Sequence, residues 1–284
     1  MTEQLAPGLS RQVVEQVVDR ALQEDLGPGG DVTTLATVPA EALASANLVS
    51  RQDGVVAGLP VVGLVFAAVG QGRLVVEYGS ADGARVSPGE VLATVRGPVR
   101  DILTAERTAL NLIGHLSGIA TLTRRWVDAI DGTGAQIRDT RKTLPGLRAL
   151  EKYAVRCGGG VNHRMSLSDA ALVKDNHVVA AGGVVAAFER VRAAYPDLDL
   201  EVEVDTAAQA REVIDAGADL VLLDNMAPDA MREVVAYSAG RARLEASGGL
   251  QLGNARVVAE TGVDYLAIGA LTHSAAGLDI GLDM

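Results

Sequence analysis

The feature that most constrains this chain is a strand-like apolar run that recurs at a nearly constant interval in its C-terminal half. Four of these runs close on Glu203, Asp224, Ser247 and Gly269, at spacings of 21, 23 and 22 residues. Each interval accommodates one strand and one helix, as in a parallel α/β barrel. An open doubly wound sheet is the alternative, but no G-x-G-x-x-G follows an early strand. We therefore predict a barrel with strands at 136–138, 171–173, 198–204, 220–223, 242–246 and 265–268.

The first hundred residues carry shorter, valine-rich runs separated by glycine, proline and aspartate. A helical pattern begins after Ser10, a residue type that caps helix N-termini well. A second, longer helical pattern follows, in which Gly114 and Gly118 mark either breaks or positions of close packing. We expect strands at 46–50, 73–78 and 90–95, and the long helix over 99–130.

Composition narrows the classes of function. The 284 residues are 48% hydrophobic and 21% charged, which is typical of a globular protein. The 36 acidic and 25 basic residues give a net charge of −11, the wrong sign for a non-specific binder of nucleic acid or anionic membranes. The single cysteine, Cys157, excludes a disulfide framework and cysteine-rich zinc modules, and we expect it to be structural.

One uncharged segment, 54–72, has nearly the length of a membrane-spanning helix. Gly58, Pro60 and Gly63 interrupt it, so we predict a strand that leads into a helix. The N-terminal residues Met1-Thr2-Glu3-Gln4 lack the basic and apolar stretches of a targeting sequence. We expect a cytoplasmic protein with no membrane or nucleic-acid partner.

The basic residues are unevenly divided, because only three of the 25 are lysines: Lys142, Lys152 and Lys174. A chain that uses arginine for nearly all positive charge has little reason to keep lysine unless the ammonium group itself matters. Four cations follow strand-like runs or lie in glycine-bounded loops beside His163, namely Arg141, Lys142, Arg164 and Lys174. We predict that they converge on an anionic ligand, the alternative being a solvated basic patch.

The next strand ends bring carboxylates and small residues. Glu201, Glu203 and Asp205 alternate along one strand and so share a face, and Asp224 ends the following strand. Such carboxylates suit sugar hydroxyls and Mg²⁺, or they neutralise the lysines in buried pairs. Small residues at the last two strand ends let backbone N–H groups approach a phosphate; they are Ser247, Gly248, Gly249, Gly269 and Ala270. Together these residues indicate a phosphorylated sugar.

Several motifs of the chain resemble the quinolinate phosphoribosyltransferase family over nearly its full length. In the N-terminal half these are Glu24-Asp25-Leu26-Gly27, Asp31-Val32-Thr33-Thr34, Glu106-Arg107-Thr108-Ala109-Leu110-Asn111 and Leu116-Ser117-Gly118-Ile119-Ala120-Thr121. In the C-terminal half they are Asp139-Thr140-Arg141-Lys142-Thr143, Asn162-His163-Arg164-Met165, Val173-Lys174-Asp175-Asn176-His177, Glu201-Val202-Glu203-Val204 and Ala246-Ser247-Gly248-Gly249.

The resemblance implies a fold, a reaction and an assembly. An N-terminal α/β sandwich (1–115, joined by the tail at about 275–284) would precede an incomplete α/β barrel (116–274) that carries the active site. The reaction would convert quinolinate and 5-phosphoribosyl 1-pyrophosphate to nicotinate mononucleotide, CO₂ and pyrophosphate in de novo NAD biosynthesis, with Mg²⁺ as cofactor. The protein would be a homodimer in which each active site is completed by the partner's N-terminal domain.

The resemblance also assigns roles to individual positions. Arg107 would bind substrate across the dimer interface. The carboxylates of quinolinate and the phosphoribosyl pyrophosphate would be held by Thr140, Arg141, Lys142, His163, Arg164 and Lys174. Glu203 and Asp224 would bind ribose hydroxyls and Mg²⁺, and with Lys142 and Lys174 they would form the catalytic set. The 5′-phosphate would lie against Ser247, Gly248, Gly249, Gly269 and Ala270.

Two positions depart from the family pattern, and three other functions stay open. Leu144 replaces a usual threonine, and Gly114-His115 stand where glutamine is common, although neither is an expected ligand. The alternatives are a relative associated with molybdenum transport, a nicotinate-using transferase and a non-catalytic phosphosugar-binding barrel. The many cations argue against nicotinate, and a binding barrel would have no use for Glu203 and Asp224.

The scarcity of lysine generates a first prediction. Lys142→Arg and Lys174→Arg should each lose most of the activity while the fold survives, because a planar fork cannot replace a compact ammonium at close quarters. Turnover and circular dichroism of the purified variants check this. Lys152 lies on a predicted helix after the Asp139-Thr140-Arg141-Lys142-Thr143 motif, and we expect Lys152→Arg to leave the activity nearly unchanged. Equal losses at all three lysines would refute the argument.

Overall fold

The computed structural model describes residues 4–284, and the side chain of Gln4 is not included. Residues 1–3 lie outside the described part. They belong to the N-terminal stretch in which no targeting sequence was expected. The chain divides into two compact units. The first runs to Arg124 and includes Thr143–Gly159 and Leu271–Met284, and the second comprises Arg125–Lys142 and Gly160–Ala270.

The described residues form 14 strands and 11 helices. The strands are β1 (Gln4–Ala6), β2 (Leu9–Ser10), β3 (Leu43–Ser50), β4 (Gly54–Val55), β5 (Val75–Tyr78), β6 (Arg85–Val86), β7 (Val91–Pro98), β8 (Gln136–Arg138), β9 (Ala171–Val173), β10 (Leu200–Val204), β11 (Leu220–Asp224), β12 (Arg243–Ser247), β13 (Tyr265–Ala267) and β14 (Ile280–Asp283). The helices are α1 (Arg11–Leu26), α2 (Val32–Thr37), α3 (Leu59–Gly70), α4 (Val99–Ala129), α5 (Arg148–Cys157), α6 (Asp175–Ala181), α7 (Val184–Ala194), α8 (Ala207–Asp215), α9 (Pro228–Ser238), α10 (Leu252–Ala259) and α11 (Ala270–His273).

The second unit is built on six parallel strands in the order β8-β13-β12-β11-β10-β9. From β9 to β13 each strand lies beside the one before it in sequence. A doubly wound sheet reverses direction near its middle, whereas this steady progression is the winding of a barrel. β8 and β9 form the two edges, so the barrel is incomplete. The predicted fold class is confirmed, and the strands at 136–138 and 171–173 have the predicted bounds.

The core of this unit forms because both faces of the sheet are covered. In β10, the inward and outward positions are buried alike, as Leu200, Glu201 and Val202 show. Helices following the strands cover one face with apolar side chains such as Val213 of α8 and Val234 of α9, both 0% exposed. Continuous apolar runs are the pattern expected for parallel strands buried on two sides.

The first unit contains a four-stranded antiparallel sheet in the order β14-β3-β7-β5. The C-terminal strand β14 pairs with β3, with Ile280 opposite Ser50, so the end of the chain is part of this sheet. Helices α1 and α3 contact each other, and Val14 and Val18 of α1 and Phe66 of α3 are buried. The small N-terminal sheet domain of the predicted fold class is therefore present.

Helix α4 is continuous over 31 residues, so Gly114 and Gly118 are not breaks. A Cβ atom at Gly118 would lie 2.1 Å from the carbonyl oxygen of Ala276, and one at Gly114 would lie 3.1 Å from that of Leu278. Glycine is needed here because the C-terminal tail crosses the helix at backbone contact distance. The close-packing interpretation of these glycines is the correct one.

The uncharged segment 54–72 forms β4 and the twelve-residue helix α3, as predicted from its glycine and proline positions. Asp82 fixes the start of this helix by accepting hydrogen bonds from the backbone of Gly58 and Leu59, at 2.9 and 3.0 Å. Within residues 4–284, none of the helices combines the length and apolar character that a membrane crossing requires.

The two departures from the family pattern meet at one buried carboxylate. Glu151 of α5, which is 0% exposed, accepts a hydrogen bond from the backbone of Leu144 at 3.1 Å. Its other oxygen lies 2.9 Å from His115 Nε2 on α4. Both residues therefore serve the internal support of the first unit, in which Glu151 joins the start of the segment 143–147 to α4.

Two further expectations concern α5. Burial and the nearby Asp82 raise the pKa of the Cys157 thiol to about 11, which makes its thiolate scarce near neutral pH and supports a structural role. Lys152, in contrast, is 0% exposed, so the expectation of a silent Lys152→Arg loses its basis. A bulkier guanidinium in that packed position forces its neighbours to move. Arg20→Lys, on the exposed face of α1, is the appropriate surface control.

Candidate functional site

A cavity of about 290 Å³ lies at the C-terminal ends of the barrel strands, within the second unit. Because parallel strands deliver their last residues to one edge, side chains distant in sequence meet there. Seven residues predicted for the site line this cavity: Thr140, Arg141, Lys142, His163, Arg164, Lys174 and Ser247. Four lining residues were not predicted: Leu172, Leu222, Glu245 and Ala267.

The cations lie close enough to affect one another. Burial and the neighbouring Arg141 guanidinium lower the pKa of Arg164. Arg164 donates one hydrogen bond, of 2.8 Å, to the carbonyl oxygen of Ala170, which fixes the direction of its side chain. The Nε–H of Arg141 is buried and has no hydrogen-bond partner in the described structure. A buried donor beside a second guanidinium is costly unless an anionic acceptor binds there.

Lys174 follows β9 and forms an ion pair with Glu203 of β10. The two side chains differ in exposure, at 46% for Lys174 and 11% for Glu203, so the ammonium borders the cavity while the carboxylate lies deeper. The sequence left open that these carboxylates neutralise the lysines in buried pairs; the observed pair joins the two residues but leaves the lysine half-exposed. Asp205 lies beyond the end of β10 and is exposed, and its backbone bonds to Gln209 at the start of α8.

Asp224 ends β11 directly opposite Ser247 at the end of β12. Its carboxylate accepts a 2.7 Å hydrogen bond from the side chain of Asn225. The turn after β12 requires glycine, since Gly248 has a φ of +84° and a Cβ there would lie 2.2 Å from the Asn225 side chain. The small residues predicted at this strand end thus allow two loops to pack together, and Ser247 faces the cavity.

His163 is fixed by hydrogen bonds on every side. Its backbone N–H donates to Asp139 at 2.7 Å, and Nδ1 accepts from the backbone N–H of Arg164, also at 2.7 Å. Nε2 lies 2.6 Å from a carboxylate oxygen of Glu201. Because Nδ1 accepts, the ring proton is assigned to Nε2, which donates to Glu201. Both ring nitrogens are therefore occupied by protein groups.

A layer of buried charge lies beneath the cavity. Arg138 donates to Glu245 at 2.6 Å and stacks 4.7 Å from the ring centre of Tyr265. Glu201 and Glu245 are 2% and 0% exposed, and each has one buried oxygen without a hydrogen-bond partner in the described structure. Burial raises the pKa of both carboxyl groups, and for Glu245 the charge of Glu201 adds to the effect.

Sequence reasoning missed Arg138 and Glu245, although a signal for them exists. Arg138 is itself the last residue of β8. Glu245 lies two residues before Ser247, the last residue of β12, so the two-residue period of the strand places both on one face. The same relation connects Glu201 to Glu203. Charged residues at such interior positions indicate a polar layer below the site.

Two groups of side chains have the chemistry of metal ligands. His163, Glu201 and Glu245 present ligand atoms within 4.8 Å of one another. The Nε2 proton of His163 and the bound Arg138 guanidinium oppose a cation there, because the histidine lone pair is not available. Glu203 and Asp224, on neighbouring strands near the cavity, offer carboxylate oxygens with no histidine proton between them, although Lys174 is paired with Glu203. Oxygen ligands of that kind fit Mg²⁺.

Two other cavities of the second unit differ in character. One of about 260 Å³ lies at the N-terminal ends of the strands and is lined by charged residues including Asp199, Asp219 and Arg243. The other, of about 700 Å³, lies beside α7 and is lined largely by apolar side chains such as Leu167 and Val191. Neither gathers the four predicted cations.

The remaining predicted residues lie outside the lining of the cavity. Glu203 is ion-paired with Lys174, and Asp224 lies opposite Ser247 on the neighbouring strand; Lys174 and Ser247 both line the cavity. Gly248 and Gly249 lie after β12, Gly269 lies in the turn after β13, and Ala270 begins α11. Arg107 belongs to α4 of the first unit, where 62% of its side chain is exposed.

Comparison with known proteins identifies the family. Two family models match in succession: the quinolinate phosphoribosyl transferase N-terminal domain over residues 31–117 and the C-terminal domain over residues 119–283. The nicotinate-nucleotide pyrophosphorylase [carboxylating] of Mycobacterium leprae is 55% identical over 271 residues, which cover 94% of this chain and 95% of that protein.

Solved structures agree over nearly the whole length. NadC from Streptococcus pyogenes superposes with a TM-score of 0.93 at 38% identity, covering 97% of both chains. The nicotinate-nucleotide pyrophosphorylase from Francisella tularensis gives a TM-score of 0.93 at 34% identity, covering 100% of this chain and 99% of that one. The matched domains, sequence identity and fold together show that this chain belongs to the quinolinate phosphoribosyl transferase family.

Proposed function

We propose that this protein transfers the phosphoribosyl group of 5-phosphoribosyl 1-pyrophosphate to quinolinate, with release of pyrophosphate and CO₂ and formation of nicotinate mononucleotide for NAD biosynthesis. The observation that carries the proposal is the converging set of cations, with the buried Arg141 Nε–H left without an acceptor. Membership of the family and the names of the relatives support the same reaction.

Quinolinate carries two adjacent carboxylates, and the cavity offers enough positive charge to pair with both. Arg141 and Arg164 bind them through forked N–H donors, and Lys142 adds a point charge. Two fixed contacts to one planar ring also set the direction of its nitrogen, so binding contributes orientation as well as affinity. The apolar side chains of Leu172 and Leu222 border the same cavity and suit the faces of the ring.

The sugar and its leaving group lie towards β10, β11 and β12. Glu203 and Asp224 bind ribose hydroxyls, and they stabilise the positive charge that develops at the anomeric carbon as pyrophosphate departs. Lys174, held by Glu203, faces the anionic leaving group. The 5′-phosphate lies against backbone N–H groups of Ser247, Gly248, Gly249, Gly269 and Ala270. Mg²⁺ held by Glu203 and Asp224 would supply neutralisation of pyrophosphate charge.

The reaction then proceeds in two stages on one bound ring. The pyridine nitrogen bonds to the anomeric carbon, and the ring becomes cationic. This positive charge stabilises the electron pair that stays on the ring carbon when the adjacent carboxylate leaves as CO₂. The cations of the cavity hold the second carboxylate throughout, so the ring does not turn between the stages.

We further propose a homodimer in which Arg107 of one chain acts in the active site of its partner. Its exposure on α4 and the family resemblance support this role. The predicted cytoplasmic location stays a prediction.

A direct assay tests the reaction. With phosphoribosyl pyrophosphate and Mg²⁺, quinolinate should give equal amounts of pyrophosphate and CO₂. Nicotinate should be largely ignored, because it leaves one cation of the site unpaired. Coupled detection of both products measures this. Comparable turnover of the two pyridines would contradict the specificity argument, and binding of phosphoribosyl pyrophosphate without any turnover would favour the phosphosugar-binding alternative.

Mixed dimers test the shared site. Arg107→Ala and Lys142→Ala chains should each be nearly inactive, because each lacks a residue that every site needs. After subunit exchange, a mixed dimer has one site with both defects and one site with neither. Random pairing makes about half of the dimers mixed, so activity should recover to roughly a quarter of the wild-type value.

Subunit exchange is verified separately with two differently tagged chains, and the two single mutants incubated alone provide the baseline. A mixture that stays at this baseline after proven exchange would show that Arg107 acts within its own chain.

A further inference from the structure

The proposed reaction requires a proton that none of its substrates supplies at the reacting carbon. When the C–CO₂⁻ bond of the N-ribosylated ring breaks, its electron pair stays on the ring carbon. The product has a C–H bond at that position, so an acid must donate a proton there. Identifying this acid deepens the proposed function and rests on it.

Most groups that line the cavity are poor candidates for this acid. Arginine does not release its proton in proteins, and the hydroxyls of Thr140 and Ser247 are weaker acids still. Lys142 and Lys174 serve as countercharges to anionic groups, and loss of a proton would remove the charge that holds substrate. Lys174 is in addition already ion-paired with Glu203.

His163 is also poorly placed to donate. Its Nδ1 accepts a hydrogen bond from the Arg164 backbone and carries no proton. The Nε2 proton faces Glu201 at 2.6 Å. Transfer from either nitrogen to a substrate would first require the ring to leave both partners, so we regard His163 as a positioning residue.

Glu245 has the properties that these groups lack. It borders the cavity from the middle of β12, two residues before Ser247 on the same strand face. One of its oxygens is held by Arg138 at 2.6 Å, while the other, Oε1, is buried without a hydrogen-bond partner in the described structure. Oε1 lies 3.8 Å from His163 Nε2. The geometry thus fixes the carboxyl group at one oxygen and leaves the other free to carry a proton.

The surroundings of Glu245 favour the protonated acid. Its side chain is 0% exposed, and burial disfavours the charged carboxylate. The titratable groups that face it are Arg138 from β8, Glu201 from β10 and His163 from the loop before β9. Burial and the Glu201 carboxylate raise its pKa, and they outweigh the opposing effect of Arg138. An acid tuned in this way is suited to donate near neutral pH.

We propose that Glu245 is the catalytic acid that protonates the ring carbon as CO₂ leaves. The bond between the ring carbon and the carboxylate breaks, CO₂ departs, and the electron pair takes the proton from Oε1 to form the C–H bond. Glu245 is left as a carboxylate paired with Arg138, and it regains a proton from water after product release.

Single-turnover measurement of both products tests this assignment. In Glu245→Gln, which keeps the shape but has no acidic proton, pyrophosphate formation should slow by less than about threefold while CO₂ formation slows by about 10²-fold. The N-ribosylated dicarboxylate should therefore accumulate and be detectable by mass spectrometry. Pyrophosphate and CO₂ that slow together would overturn the proposal, as would an unchanged CO₂ rate.

Three matched variants separate the acid from its neighbours. Glu201→Gln removes the adjacent buried carboxylate, and Lys142→Arg and Lys174→Arg remove the competing ammonium acids. Whatever their overall rates, all three should form pyrophosphate and CO₂ in step. Uncoupling of the two products in Glu201→Gln would assign the effect to lost buried charge, and uncoupling in a lysine variant would assign the acid to that lysine. Either result would overturn the role of Glu245.

Circular dichroism and thermal melting accompany every variant. If Glu245→Gln does not fold, Glu245→Asp replaces it, since that variant keeps the acid but withdraws the carboxyl group by about one bond length. It should uncouple the products in the same direction and to a smaller extent, and coupled products in it would overturn the proposal. Wild-type chain that forms neither product would instead contradict the proposed function itself.

Discussion

The structure of the site depends on charged side chains that are buried inside the tightly packed parallel sheet of the second unit. Buried carboxyl groups at Glu201 and Glu245 are tolerable only because Arg138 and His163 bond to them, and these bonds fix the floor of the cavity. Removing one partner of such a buried pair would lower the folding stability by about 3–5 kcal/mol, because the remaining charge would be unpaired. The floor in turn fixes Arg164, whose backbone bonds to His163. The cations that line the cavity are therefore held by a rigid layer of bonded side chains beneath them.

The strand ends were predictable because apolar runs recur at a nearly constant interval and each closes on a polar or small residue. The regular spacing of Glu203, Asp224, Ser247 and Gly269 indicates both the barrel and the edge where side chains meet. The cations Arg141, Lys142, Arg164 and Lys174 follow the same rule, and the structure brings all four to one cavity. What each of them binds is not contained in the spacing, and those roles depend on the resemblance to the family.

The interior layer was not predicted, for a physical reason. The two-residue period of a strand predicts which face a charged residue lies on, but it does not show whether that charge is paired and buried or solvated. Glu245 becomes informative only when Arg138, 107 residues earlier in the chain, is known to face it. Lys152 illustrates the same limit, because its helical position indicates exposure while the packing of α5 buries it completely. Tertiary partners decide such cases.

The most direct test of the account is a crystal structure of the protein with quinolinate bound. We predict that the ligand occupies the cavity at the C-terminal strand ends, with its two carboxylates on Arg141 and Arg164. The Nε–H of Arg141 should gain its missing acceptor, and the ring should lie within reach of Glu245 Oε1. Quinolinate bound instead in the apolar cavity beside α7, or among the charges at the N-terminal strand ends, would contradict the account.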